Sequence, residues 1–128
     1  MKMILLITFS IFVTLFGCTF FSSQDNVKAF IPGTYISTWV SQFSEARDTI
    51  LITPIVQEGS EGFLITRRTY LNFINAASNR EPEYKIKHWS GSYDAGSKTI
   101  FINNDGRVLF FDPGKKEMKM GVITYKKL

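Results

Sequence analysis

Few residues in this chain have types and spacing suited to chemistry. One histidine, His88, and one cysteine, Cys18, occur in 128 residues. A Ser-His-Asp triad would have to be built on His88, because each partner must lie within reach of the imidazole. His88 sits mid-segment beside Trp89, with no sharp nucleophile-bearing turn nearby, and reads as a structural histidine. A single Cys excludes an internal disulfide framework and any Cys-based zinc site. The pairs Glu58/Glu61 and Glu81/Glu83 are close in sequence but fall in hydrophilic, loop-like stretches. Solvated charge accounts for them better than carboxylates facing across a cleft. Gly59-Ser60-Glu61-Gly62 has too little glycine for a phosphate loop and leads into a β pattern, not a helix. No set of acid, base, nucleophile or metal ligands assembles, so the chain reads as non-enzymatic, with no catalytic residue, metal or cofactor.

Binding chemistry is better represented. Arg67 and Arg68 are neighbours in a strand-like run, so they point to opposite faces. One of them faces inward unless the strand is solvated on one side. An inward Arg needs a carboxylate or a ligand, since an unpaired buried charge is very costly. Asp48 and Glu83 are the candidate carboxylates, as both flank neighbouring strands. Two readings follow: an anion-binding interior lined by Arg67, Arg68, Trp39 and Tyr35, or a salt bridge at the edge of the core. Lys85 and Lys87 share a strand face with Trp89. Basic residues interleaved with aromatics suit nucleic acid or a partner surface.

The elements that must position these residues are β throughout. Gly33–Val40 is β-branched and aromatic, with Tyr35, Ser37 and Trp39 on one face. Ser41–Arg47 is a polar connection. Asp48–Val56 is the second strand, with Pro54 at an edge or bulge. Phe63–Tyr70 is the third, and Leu71–Ala77 either prolongs it or forms a short helix. Tyr84–Tyr93 follows, then a hairpin turn at Asp94-Ala95-Gly96-Ser97. Lys98–Asn103 and Arg107–Phe111 flank the turn Asn104-Asp105-Gly106. Met118–Lys127 closes the chain after Asp112-Pro113-Gly114. About eight short strands joined by short turns imply an all-β antiparallel up-and-down barrel or a sandwich. The barrel is preferred, because closure removes exposed edges.

The N-terminus speaks to address. Met1-Lys2 precedes an apolar run from Met3 to Phe16, the length of a signal-peptide core and short for a membrane span. It ends in Leu15-Phe16-Gly17-Cys18, which resembles a bacterial lipobox. The resemblance implies cleavage after residue 17 and lipidation of Cys18, which becomes the first residue. The chain then divides into a lipoprotein signal peptide (1–17), an anchor and tether (18–30) and a barrel domain (31–128). Several acyl chains anchor durably, at about 0.8 kcal/mol per buried methylene. No acidic cluster follows Cys18, which favours an outer-membrane anchor facing the periplasm. Export carries the chain away from intracellular nucleic acid, so no nucleic-acid partner is expected despite the net charge of +4.

Gly33-Thr34-Tyr35 with Trp39 resembles the first-strand signature of lipocalin-like barrels. In such barrels a Gly-x-aromatic element plugs the bottom, and a basic residue of the last strand packs over it; Lys126 or Lys127 suits that part. With the lipobox and the terminal Tyr125-Lys126-Lys127, the chain is similar to small lipocalin-like lipoproteins of the Bacteroidetes. Some of these are encoded among conjugation or secretion genes. The resemblance carries no catalytic residue. It implies a membrane-anchored accessory of an envelope assembly with an envelope protein as partner. Two alternatives stand beside it. One is a barrel that holds a small apolar ligand. The other is an inhibitor or immunity lipoprotein, because Ser90-Gly91-Ser92-Tyr93 resembles the loop of lysozyme-inhibitor barrels. That last reading needs an exposed loop over Ser90–Ser97 that presents Tyr93 to the enzyme; Lys85 and Lys87 are expected contacts to a partner protein or to anionic lipid headgroups whichever reading holds.

Overall fold

The computed structural model describes residues 25–57, 61–74 and 80–128. A short helix, α1 (Asn26–Phe30), precedes eight strands: β1 (Gly33–Val40), β2 (Ser44–Pro54), β3 (Gly62–Phe73), β4 (Glu83–Asp94), β5 (Thr99–Ile102), β6 (Val108–Asp112), β7 (Glu117–Met120) and β8 (Ile123–Lys127). Each strand pairs antiparallel with the next, and β8 returns to β1, so the sheet is a closed up-and-down barrel. This is the all-β architecture expected from the alternating pattern. Along β2, Ala46, Asp48, Ile50 and Ile52 are buried while Glu45, Arg47, Leu51 and Thr53 are exposed, the period of two that a half-covered strand requires. Short polar turns join β4 to β8. In the first, the Asp94 carboxylate accepts the Gly96 and Ser97 N–H groups at 3.3 and 3.2 Å, an Asx turn that fixes the hairpin.

Three boundaries differ from the sequence expectation. β2 begins at Ser44, inside the segment read as a polar connection, because Ser41 and Ser44 close a tight turn (Ser41 N–H to the Ser44 carbonyl, 2.7 Å). Pro54 consequently ends the strand, opposite Phe63. The closing segment is two strands, since Gly121 takes a left-handed φ of 61° and Gly121-Val122 turns the chain between the paired Met120 and Ile123. Leu71–Phe73 prolongs β3.

The tether reading also changes. Of residues 18–30, those before Asp25 lie outside the described residues, but Asn26–Phe30 is helical and packed on the barrel. The Asp25 carboxylate caps the helix by accepting from the Val27 and Lys28 N–H groups, both at 3.1 Å. Lys28 pairs with Glu61 at 2.6 Å, and Ile31 is fully buried. Together these seat α1 across one end of the barrel as a plug. Phe30 meets Tyr35 and Phe111 edge-on, at 6.0 and 6.5 Å. Of the two candidate lysines, Lys127 packs over the first strand. Its Nζ donates to the Phe30 carbonyl and lies 4.2 Å from the Phe30 ring centre. Gly33 makes room for it, since a Cβ there would come within 2.6 Å of Lys127 Cε. Above the plug, Ile50, Ile52, Ile65, Ile100, Leu109 and Met118 fill the interior.

Candidate functional site at the open end

The strands differ greatly in length, and this shapes the end opposite the plug. β2, β3 and β4 have 11, 12 and 12 residues, while β5, β6, β7 and β8 have 4, 5, 4 and 5. One side of the barrel therefore rises as a tall curved wall above a low rim. β5 pairs with β4 only over Gly91–Asp94. One further bond, from the Asn103 N–H to the Ser90 carbonyl at 2.9 Å, extends that contact. Beyond it, Glu83–Trp89 pairs, among the described residues, with β3 alone.

A buried polar cluster forms the floor beneath the open end. Asp48 is fully buried. Arg67 Nε donates to both its oxygens at 3.0 and 2.9 Å, and Arg67 Nη2 lies 2.7 Å away. Thr69 Oγ1 donates at 3.0 Å and Tyr125 Oη at 2.5 Å. Register explains the convergence: Asp48 pairs across strands with Thr69, and Arg67 is one inward position below Thr69. Burial opposes the Arg67 charge, but the hydrogen bonds and charge of Asp48 outweigh it and hold the guanidinium pKa above its ordinary value. Burial and the bond to Asp48 push the Tyr125 phenol upward, so it stays a neutral donor.

Above the floor, the inner face of the tall wall carries the row Trp39, Ala46, Leu71 and Glu83, with Lys85 and Lys87 beside it on β4. Trp39 is 40 % exposed, and Lys85 and Lys87 are exposed. Lys85 lies 4.0 Å from Glu83, whereas Lys87 and Arg68 make no ion pair among the described residues. At the low rim, a hollow of about 530 Å³ opens between Arg67, Arg107, Met120, Val122 and Ile123. Arg107 stacks over Trp89 at 5.3 Å and pairs with Asp105 at 2.9 Å.

The expected site residues separate accordingly. Arg67 points inward and Arg68 outward, as alternation requires, and Asp48 rather than Glu83 is the partner of Arg67. Trp39, Lys85 and Lys87 all lie on the inner face toward the open end, Trp39 on β1 and the lysines on β4 with β2 and β3 between them. Tyr35 does not. It is fully buried at the plug, where its hydroxyl donates to the Ile31 and Phe30 carbonyls at 2.8 and 3.2 Å. Burial pushes its pKa up. Tyr93 is no surface contact either: it is buried on β4, and its hydroxyl donates to Asp25 at 2.5 Å. The exposed loop expected over Ser90–Ser97 is instead the end of β4 and a tight turn, because Gly91 and Tyr93 share the inward face. His88 stands exposed on the outer face, its Nδ1 3.2 Å from Thr66 Oγ1. Among the described residues, no group of acidic, His and Cys side chains is arranged to hold a metal. Cys18 lies outside the described residues.

Sequence reasoning missed Thr69 and Tyr125 in the floor. Tyr125 sits 77 positions from Asp48, and only barrel closure brings them together. It also missed the exposed Tyr84 and Ile86 on the outer face of β4; the apolar half of an alternating pattern marks them, but the same mark reads as core. Comparisons of the chain with protein-family models, curated proteins and solved structures found no match.

Proposed function

We propose that this chain is a non-enzymatic, lipid-anchored accessory of an envelope assembly, facing the periplasm and binding a partner protein with its open end. The observation that carries this reading is the asymmetry of the barrel. One end is plugged by α1, the interior is filled, and the other end exposes Trp39, Lys85 and Lys87 on a wall that outgrows its neighbours. The lipobox-like Leu15-Phe16-Gly17-Cys18 supports anchoring through Cys18, and the chain enters the barrel at the plugged end. A lipid at Cys18 then directs the plug toward the membrane and the open end away from it.

The apolar-ligand reading has less support, because Tyr35, Tyr125 and the isoleucines occupy the space such a ligand would take. The inhibitor reading relied on Tyr93, which is committed to Asp25.

Affinity capture from detergent-solubilised native envelopes tests the proposal. The wild-type protein is expected to bring down an envelope protein in stoichiometric amount, and a Trp39→Ala/Lys85→Glu/Lys87→Glu variant to lose it. Cys18→Ser is expected to abolish incorporation of radiolabelled palmitate. Recovery of the protein alone, or palmitate labelling that survives Cys18→Ser, overturns the corresponding half of the reading.

A further inference from the structure

We infer that the edge of β4, unpaired among the described residues over Glu83–Trp89, takes up an extended, acidic strand of the partner, which continues the sheet where β5 leaves it. This deepens the proposed function and rests on it for the existence of a partner, but the edge itself is a feature of the fold.

Hydrogen-bond alternation identifies the free groups. The Ser90 carbonyl accepts from Asn103, so it faces the β5 side. The Tyr93 N–H donates to the Glu61 carbonyl, on the β3 side. Backbone groups alternate direction along a strand. The N–H and C=O groups of Tyr84, Ile86 and His88 therefore face the same side as Ser90, and β5 does not reach them. At about 3.3 Å per residue, the segment Glu83–Trp89 offers roughly 23 Å of open edge.

Side chains on both faces define the occupant. On the inner face stand Lys85 and Lys87, and Arg68 pairs across from Ile86 on the outer face. Lys87 and Arg68 have no carboxylate partner among the described residues. On the outer face, Tyr84 is 75 % and Ile86 60 % exposed. A strand added here places alternate residues beside Lys85 and Lys87 and the others beside Tyr84 and Ile86. Acidic residues suit the first set and apolar residues the second. A second copy of the chain fits poorly. Antiparallel self-pairing about Ile86 sets Lys85 opposite Lys87 twice, and like charges directly opposite are unfavourable. The lysines thus discourage self-association at this edge while favouring an acidic strand.

The probe is a synthetic nine-residue peptide alternating valine and glutamate, added to the protein as isolated from membranes in detergent micelles. Controls are the same peptide N-methylated at alternate residues and a version with lysine for glutamate. Amide hydrogen exchange at Tyr84, Ile86 and His88 is expected to slow at least tenfold with the glutamate peptide. The N-methylated peptide should give no protection, and the lysine peptide should bind at least tenfold more weakly. Ile86→Pro removes an outward N–H while sparing the bonds to β3, and is expected to weaken binding at least tenfold.

Unprotected amides, or equal binding of the N-methylated peptide, overturn the inference. Undiminished binding to a folded Ile86→Pro variant also overturns it. If that variant fails to fold, the N-methylated peptide on the wild-type protein decides. Protection that appears without peptide and rises with protein concentration identifies a second copy as the occupant and overturns the acidic-strand assignment. Capture of an envelope partner without edge protection by the peptide sinks strand addition alone. Edge protection without any captured partner sinks the accessory reading alone.

Discussion

Replacing Asp48 by alanine separates the two readings of Arg67, as a structural cation or as a binding residue. In the wild type, the fully buried Asp48 carboxylate accepts from Arg67, Thr69 and Tyr125. Asp48→Ala leaves the Arg67 guanidinium, whose side chain is only 17 % exposed, without its counter-charge. Removing one partner of a buried pair costs about 3–5 kcal/mol. The stranded Tyr125 hydroxyl adds to the loss, while the hollow beside Arg67 gives its charge some access to water, so about 4 kcal/mol is the expected total. Domains of this size are stable by roughly 5–15 kcal/mol. At about 4–8 °C per kcal/mol, Tm falls by roughly 16–32 °C. Urea unfolding followed by circular dichroism measures the loss. A double-mutant cycle with Arg67→Met isolates the pair, with an expected coupling above about 1.5 kcal/mol. The triple change Asp48→Leu/Arg67→Met/Tyr125→Phe restores stability to within about 1 kcal/mol of the wild type, because no charge is then left buried. It should also capture the proposed partner as the wild type does, because Arg67 is committed to Asp48. A loss under about 1 kcal/mol for Asp48→Ala, or strict additivity with Arg67→Met, refutes the argument. Loss of partner capture in the stable triple variant returns Arg67 to the binding residues.

Three further outcomes follow from the geometry. Gly91→Ala places a Cβ within 2.5 Å of Ile100 Cγ2 and 3.2 Å of Ile65 Cδ1, so overpacking lowers stability by about 1–3 kcal/mol in urea unfolding. Tyr35, Tyr93 and Tyr125 all have pKa values raised above the ordinary 10.0, burial being the first cause in each. The native state therefore binds more protons than the unfolded chain above pH 10. The stability this represents is full below pH 10 and is lost as pH rises beyond it, by about 1.4 kcal/mol per pH unit for each phenol. Ultraviolet absorbance of phenolate should rise together with loss of the β-sheet signal. Tyr93→Phe removes the donor that is the largest single cause holding Asp25 below its ordinary 3.8, ahead of either helix N–H group. A lowered carboxylate stabilises the fold above that value and loses the effect as pH falls. Protection factors in α1, taken relative to the intrinsic exchange rate at each pH, should accordingly fall in acid for the wild type and already be lower at neutral pH for Tyr93→Phe.

How much of this was legible in the sequence depended on whether a feature was set locally. The strands and their turns were readable because β-branched alternation and Asp/Asn/Gly clusters act over a few residues. The inward turn of one of Arg67 and Arg68 was readable because adjacent strand residues cannot share a face. The start of β2 was not, because its inward row opens with Ala46 and Asp48. A buried Asp looks like loop until the Arg across the sheet is known. The helix Asn26–Phe30 was hidden for a related reason. At five residues it is too short to stand on propensity, and it exists where Asp25, Ile31 and Lys28 find Tyr93, the apolar core and Glu61. The open edge was the least legible feature. The residues of Tyr84–Tyr93 alternate well as far as Trp89, where the apolar positions change from the even-numbered to the odd-numbered face, but nothing in them says that the neighbouring strand stops at Ile102. That length mismatch is a property of two segments at once. It turns the apolar positions Tyr84 and Ile86, which alternation alone would assign to a core, into exposed side chains beside unpaired backbone. A folded domain seldom leaves such an edge without a device to guard it or a strand to fill it, and lysines in place of proline or a bulge leave both the hydrogen bonds and the register available to an acidic partner.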